Sequence, residues 1–291
     1  MAVLAGCGDR SPVDIAAITP CRPQTLHCRQ AAARRHVHDR ALGARMIEAA
    51  RTLAALLPAD LAGRIEKHGY AVVDGFVPPD ELRKAQAFVR GAVARNGGEY
   101  VGFSGHEDLG GTFLERLQAD PAFVGLCRGI YQEGNGAPAP DVGFYQILRC
   151  LAGTQAKRHS MRFHYDSYVL TALIPIMMPS HGTKGNLIIL PQTRPIRKFY
   201  GANLVDKILV DNRLSQVLFK YAYGRRWGRM VSLELKPGNL YFFWGYRSLH
   251  TNEPCDADEI RSTALFHFVD PHAQSSLKRM MRTPAEPSAR A

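Results

Sequence analysis

The sequence predicts an α+β domain whose first half is helical and whose second half is a β-sandwich or barrel. Two observations carry this. Helical periods are concentrated before Asp141, whereas after it at least six short segments are rich in β-branched and aromatic residues. The composition, 46 % hydrophobic and 22 % charged over 291 residues, is that of a globular chain able to bury a sizeable core.

The elements follow in order. Residues 1–45 show no hydrophobic period and hold seven Arg against three Asp, so they read as a disordered leader. From Met46 onward the folded domain is expected to run to Pro271, followed by a basic tail over 272–291. Leu61, Ile65 and Tyr70 suit a short helix, and Tyr70–Val77 reads as a strand. Pro78-Pro79-Asp80 stops the strand and opens a helix over Glu81–Arg95. The span Gly97–Gly111 reads as a loop without phosphate-loop chemistry, and Thr112–Tyr131 as a second helical region. Strands are predicted over 142–151, 162–178, 186–190, 231–235, 240–244 and 261–269, with a helical insert near Ala202–Tyr221.

Charge and cysteine content narrow the function classes. The net charge of +11 is concentrated in the two ends, which weakens a nucleic-acid reading. No stretch approaches the length of apolar run that spans a membrane, so no membrane partner is expected. Six scattered cysteines form no disulfide framework and predict a reducing, cytoplasmic setting. Oligomeric state is not legible.

Chemistry gathers in a few residues. In Arg162-Phe163-His164-Tyr165-Asp166-Ser167-Tyr168, strand alternation places His164 and Asp166 on one face, able to share a metal ion. That spacing alone is common. His250 supplies a third candidate ligand, and two imidazoles with one carboxylate leave coordination positions open, as in oxygen-activating Fe(II) sites. Arg261 and Thr263 then share a strand face, a pairing suited to a carboxylate.

Taken together, His164-x-Asp166, His250 and Arg261-x-Thr263 resemble the signature of the Fe(II)/2-oxoglutarate-dependent dioxygenase superfamily. Gly69–Val77 and Gly185–Thr193 resemble segments of its phytanoyl-CoA dioxygenase-like branch, and the resemblance spans Leu61 to Pro271. It implies a double-stranded β-helix (jelly-roll, cupin-like) core with N-terminal flanking helices. It also implies Fe(II) on His164, Asp166 and His250, with 2-oxoglutarate and O2 as cosubstrates. Arg261 and Thr263 would hold the distal carboxylate, with Gln146 and Asn252 as further contacts. Gln192 and Arg194 depart from the branch's pattern, so its acyl-CoA substrate does not carry over.

The span Leu151–Tyr200 holds seven basic residues against Asp166 alone, which suggests a small anionic or amino-acid-like metabolite. Arg162, Arg194 and Tyr168 are the candidate substrate contacts. The alternatives are a nucleic-acid or protein demethylase of the same superfamily, or a non-catalytic cupin-like binding protein. The first usually carries a second Arg soon after Arg261, absent here. The second has no reason to keep His164, Asp166, His250 and Arg261 together.

Overall fold

A computed structural model describes residues 56–225 and 228–280. The expected leader, and the tail beyond residue 280, lie outside the described residues. The fold opens with helix α1 (Pro58–His68), which has proline at its start and ends on Gly69 at φ 87°. Strand β1 (Ala71–Val73) is shorter than the expected Tyr70–Val77. Asp74 and Gly75 turn away, because the Gly75 N–H donates to Asn239 Oδ1 at 2.9 Å and the Asn239 amide donates to Asp74 Oδ1 at 2.6 Å.

Helix α2 (Pro79–Arg95) matches its expectation. The glycine-rich span carries a strand that the sequence reading missed, β2 (Val101–Ser104), whose Val101 and Phe103 are buried in alternation. The second helical region splits into α3 (Leu114–Leu117) and α4 (Pro121–Asn135). Asp120 divides them by accepting the Phe123 N–H at 2.9 Å as a helix cap.

After α4 come β3 (Tyr145–Leu151), β4 (Leu170–Met177) and β5 (Leu187–Leu190). The insert is two helices, α5 (Tyr200–Asp211) and α6 (Arg213–Gly224), joined at Asn212, which caps α6 through the Ser215 N–H at 2.9 Å. Then follow β6 (Val231–Leu233), β7 (Leu240–Phe243), β8 (Leu249–Asn252), β9 (Arg261–Phe268) and a short helix α7 (Ser276–Met280). No helix among the described residues is long and apolar enough to cross a membrane.

The strands form two antiparallel sheets. One has six strands in the order β1-β7-β4-β9-β3-β2, the other three in the order β6-β5-β8. Alternation divides the large sheet cleanly. Leu170, Ala172, Ile174, Ala264, Phe266, Phe268 and Leu148 pack with the helices preceding β3, while Leu173, Tyr241 and Phe243 pack against Leu187 and Ile189 of the small sheet. The outer face of the small sheet, with Ile188 and Leu249, is covered by Val210, Phe219 and Tyr223 of the insert. The space between the sheets is therefore where inward-facing polar side chains can meet.

The segment expected as one strand over 162–178 is divided for a reason. His164 pairs with His250 of the small sheet in a single bridge, and only from Leu170 does the chain pair within the large sheet. The bend at Ser167–Val169 is where the chain switches sheets, a device that turns a sandwich corner.

Helix α4 supplies a stability test. Gly134 lies under the buried Trp244 indole, and a Cβ there would collide with the ring, whereas a Cβ on Gly125 of the same helix meets nothing. Gly134→Ala is expected to destabilise the fold by roughly 1–3 kcal/mol through overpacking. Gly125→Ala should stabilise it by roughly 0.5–1 kcal/mol through helix propensity. Urea midpoints at unchanged m-value check both.

Candidate metal centre

His164, Asp166 and His250 are brought together by two backbone pairings. The His164 and His250 amides donate to each other's carbonyls at 3.0 Å, which sets the two rings side by side, with centroids 4.5 Å apart. The Asp166 N–H donates to the Gly245 carbonyl at 3.0 Å, pulling the carboxylate under both rings. Each ring is oriented by its own strand. His164 Nδ1 lies 2.9 Å from the Arg162 carbonyl and His250 Nδ1 lies 3.0 Å from the Ser248 carbonyl. A carbonyl only accepts, so Nδ1 carries the proton in each ring and, in the neutral form, Nε2 presents its lone pair to the centre.

Those lone pairs face one oxygen. Asp166 Oδ1 is 3.4 Å from His250 Nε2 and 3.9 Å from His164 Nε2, and the three donor atoms lie within 4.8 Å of one another. The other oxygen, Oδ2, is already held. The Thr171 hydroxyl donates to it at 2.6 Å, and His267 Nδ1 stands 3.1 Å from that hydroxyl oxygen. Because the hydroxyl proton goes to Asp166, Thr171 accepts from a His267 Nδ1–H, and a directed chain runs from His267 through Thr171 to Asp166. Gly245 completes the seat, since a Cβ there would collide with both Asp166 and Thr171.

The charges are consistent with a metal seat. Burial would raise the Asp166 pKa, but His250 and His267 outweigh it and hold the carboxylate well below its ordinary range. Desolvation, reinforced by the adjacent His250, pushes His164 down to about 4, so it is neutral at pH 7. Burial opposes charging of His250, yet the Asp166 carboxylate beside it dominates and raises its pKa. Burial lowers that of His267. The centre is open at His164, whose side chain is 43 % exposed, against 6 % for His250 and 10 % for Asp166.

Beyond the triad, the inward face of β9 carries Arg261, Thr263 and His267. Arg261 is 4 % exposed and its Nε donates to the Gly185 carbonyl at 2.6 Å. Among the described residues no carboxylate pairs with it. Burial, with Arg149 next in effect, lowers its pKa to about 10, so the guanidinium stays charged at neutral pH. Buried and unpaired, it calls for an anion.

Several candidate contacts are placed elsewhere. Gln146 is a correction: it sits on the outer face of β3 with Leu148 and Cys150, and its amide donates to the Leu114 carbonyl at 3.0 Å. Arg149, of the opposite parity, is the inward residue, paired across the ladder with Thr263. The Arg149 charge opposes protonation of His164, His250, His267 and Arg261, and its guanidinium donates to the His159 carbonyl at 3.5 Å. The strand pattern held this signal, since Leu148 and Cys150 mark the core-facing parity. Asn252 shares the face of His250, but its amide is engaged by Ser160 Oγ at 3.1 Å and the Glu253 carbonyl at 2.8 Å.

The substrate-side candidates also separate. Arg162 is a surface residue, 70 % exposed and ion-paired with Asp211 at 3.4 Å, because the strand face it was read on exists for one bridge only. Arg194 is buried, bonded to the Tyr246 carbonyl and Asp206, and stacked between Tyr165 and Tyr246 at 3.8 and 4.1 Å. It is a structural clamp on α5 rather than a free cation. Tyr168 stacks on Tyr145 and on His267, the histidine that faces Thr171. Lys207 on α5, missed in the sequence reading, is half-buried and donates to Ser167 Oγ at 2.8 Å, one residue from Asp166.

Fold and site together define a protein with two facing antiparallel sheets that enclose a candidate His-Asp-His metal centre. No family model and no curated protein matches the chain. Solved structures show distant likeness. The non-haem α-ketoglutarate-dependent epimerase SnoN from nogalamycin biosynthesis is 18 % identical, over 79 % of this chain and 92 % of that one, with a TM-score of 0.45. A Pseudomonas putida prolyl-4-hydroxylase is 16 % identical over 72 % and 93 %, with a TM-score of 0.45. The carbocyclase SnoK from nogalamycin biosynthesis is 16 % identical over 78 % and 92 %, with a TM-score of 0.47.

The His267–Thr171–Asp166 chain generates a test. Thr171→Val removes the donor to Oδ2 at nearly constant volume and is expected to weaken divalent-metal binding by about 10–100-fold. Thr171→Ser should restore it. Titration with Co(II), followed by its visible absorption, measures both.

Proposed function

We propose that the protein is a non-haem Fe(II)- and 2-oxoglutarate-dependent oxygenase that removes a hydrogen atom from a small anionic or amino-acid-like metabolite, releasing succinate and CO2. The single observation that carries this is the pairing of two features between the same sheets: a His-Asp-His cluster and a buried, unpaired guanidinium at Arg261. The two antiparallel sheets are read as the halves of a double-stranded β-helix.

The residues fit the metal. Two Nε2 lone pairs and one carboxylate oxygen on one side, with the second carboxylate oxygen already occupied by Thr171, form a three-donor set with open positions. Bound there, iron would supply the redox chemistry that activates O2. Every other task falls to the chain. Asp166 and the two Nδ1-anchored imidazoles hold the metal. Arg261, with Arg149 and Thr263, offers cationic and hydroxyl donors for the far carboxylate of 2-oxoglutarate. Phe243, edge-on to His250 at 5.0 Å, and the surrounding sheet walls keep water from the buried side.

An anionic substrate is supported at the open side. Lys207 has no carboxylate partner among the described residues, and burial lowers its pKa, so an anion from outside would relieve an uncompensated cation. Lys207 takes the role first read onto Arg162 and Arg194.

Succinate release across a panel of small carboxylates, amino acids and phosphate esters tests the reading and finds the substrate. His164→Ala and His250→Ala should abolish release. Arg261→Ala should raise the KM for 2-oxoglutarate by about tenfold or more with metal binding retained, and Arg261→Lys should not rescue it, because an ammonium lacks the parallel donors of a guanidinium. Unaltered turnover in His250→Ala would overturn the assignment.

A further inference from the structure

The helical insert is apolar on both sides. Its inner side is fully used: Val210, Phe219 and Tyr223 pack on the small sheet, and Gln216 is bonded to both backbone groups of Phe163. The outer side repeats the pattern toward solvent. Val205, Ile208 and Leu209 of α5 follow an i, i+3, i+4 stripe, and Leu214, Val217 and Leu218 of α6 do the same, each between 55 % and 79 % exposed. Single exposed apolar residues need no explanation, but two aligned stripes on adjoining helices do.

The charge around the stripes decides what covers them. Lys198, Arg213, Lys220 and Arg225 are exposed and have no carboxylate partner among the described residues. Arg213 and Lys220 stand four before and three after Val217, so they flank the α6 stripe. The two acids of the insert are both neutralised from within: Asp206 is held by Arg194 and Arg197, and Asp211 by Arg162. An apolar face rimmed by free cations repels a second copy presenting the same rim and matches a surface that is apolar beneath and negative on top.

The geometry points to the α5–α6 face as a docking surface for an anionic lipid bilayer, with the apolar stripes entering the headgroup boundary and Lys198, Arg213, Lys220 and Arg225 meeting lipid phosphates. The insert that carries this face also carries Lys207, so a docked molecule would hold its metal centre close to the bilayer. The inference does not depend on the proposed reaction.

Cosedimentation of the full chain with vesicles of phosphatidylcholine alone, or mixed with phosphatidylglycerol, tests it. The protein should pellet with the anionic vesicles and be released by salt. Val217→Ser/Leu218→Ser and, separately, Arg213→Glu/Lys220→Glu should each reduce the bound fraction by about tenfold with unchanged circular dichroism. Failure to pellet with either vesicle overturns the inference, as does binding by both double variants equal to that of the unaltered chain. Light scattering that shows a dimer split by Val217→Ser/Leu218→Ser would also overturn it, assigning the face to a second copy.

Discussion

One buried carboxylate organises this molecule. Asp166 is charged, a tenth exposed and set between two imidazoles, and such a group is tolerated only when every oxygen is compensated. Its compensation comes from distant parts of the chain: Thr171 from β4, His267 from β9, His250 from β8, and a close approach by Gly245 that only glycine permits. Satisfying that one side chain therefore fixes how the two sheets sit.

The switch of the chain from the small sheet to the large one is the backbone expression of the same constraint. Had residues 162–178 continued as one strand, His164 and Thr171 would belong to one sheet, and Thr171 could not approach Asp166 from the other side. The bend at Ser167–Val169 separates them, so that first the ligand and then its hydrogen-bond donor come from facing layers. On the open side the α5–α6 insert is pinned to this corner. Arg194 reaches from the loop after β5 to Asp206 of α5 and lies between the rings of Tyr165 and Tyr246, next in sequence to Asp166 and Gly245.

Cationic side chains gather about the centre from separate elements. Arg149 on β3 and Arg261 on β9 lie on paired strands, and Lys207 of α5 reaches Ser167 beside Asp166.

The sequence by itself determined which residue types could meet at the centre and where most helices and strands fall. His-x-Asp, a later histidine and Arg-x-Thr are local residue choices, and alternation within β9 already puts Arg261 and Thr263 on one face. Helices before Asp141 and strands after it are likewise local propensity. Tertiary structure decided everything that depends on which sheet a segment joins. Gln146 was read as a further contact for the cosubstrate, yet β3 turns that parity to the helices and offers Arg149 instead. Arg162 was read with His164, yet a strand that pairs for a single residue does not hold a face. Arg194 looked like a substrate cation until Asp206, twelve residues on, claimed it. Lys207 looked like any helical lysine until α5 folded over Ser167. Periodicity is a property of neighbouring residues, whereas pairing, parity and neutralisation are set by partners far away in the chain, and those exist only once the two sheets have closed.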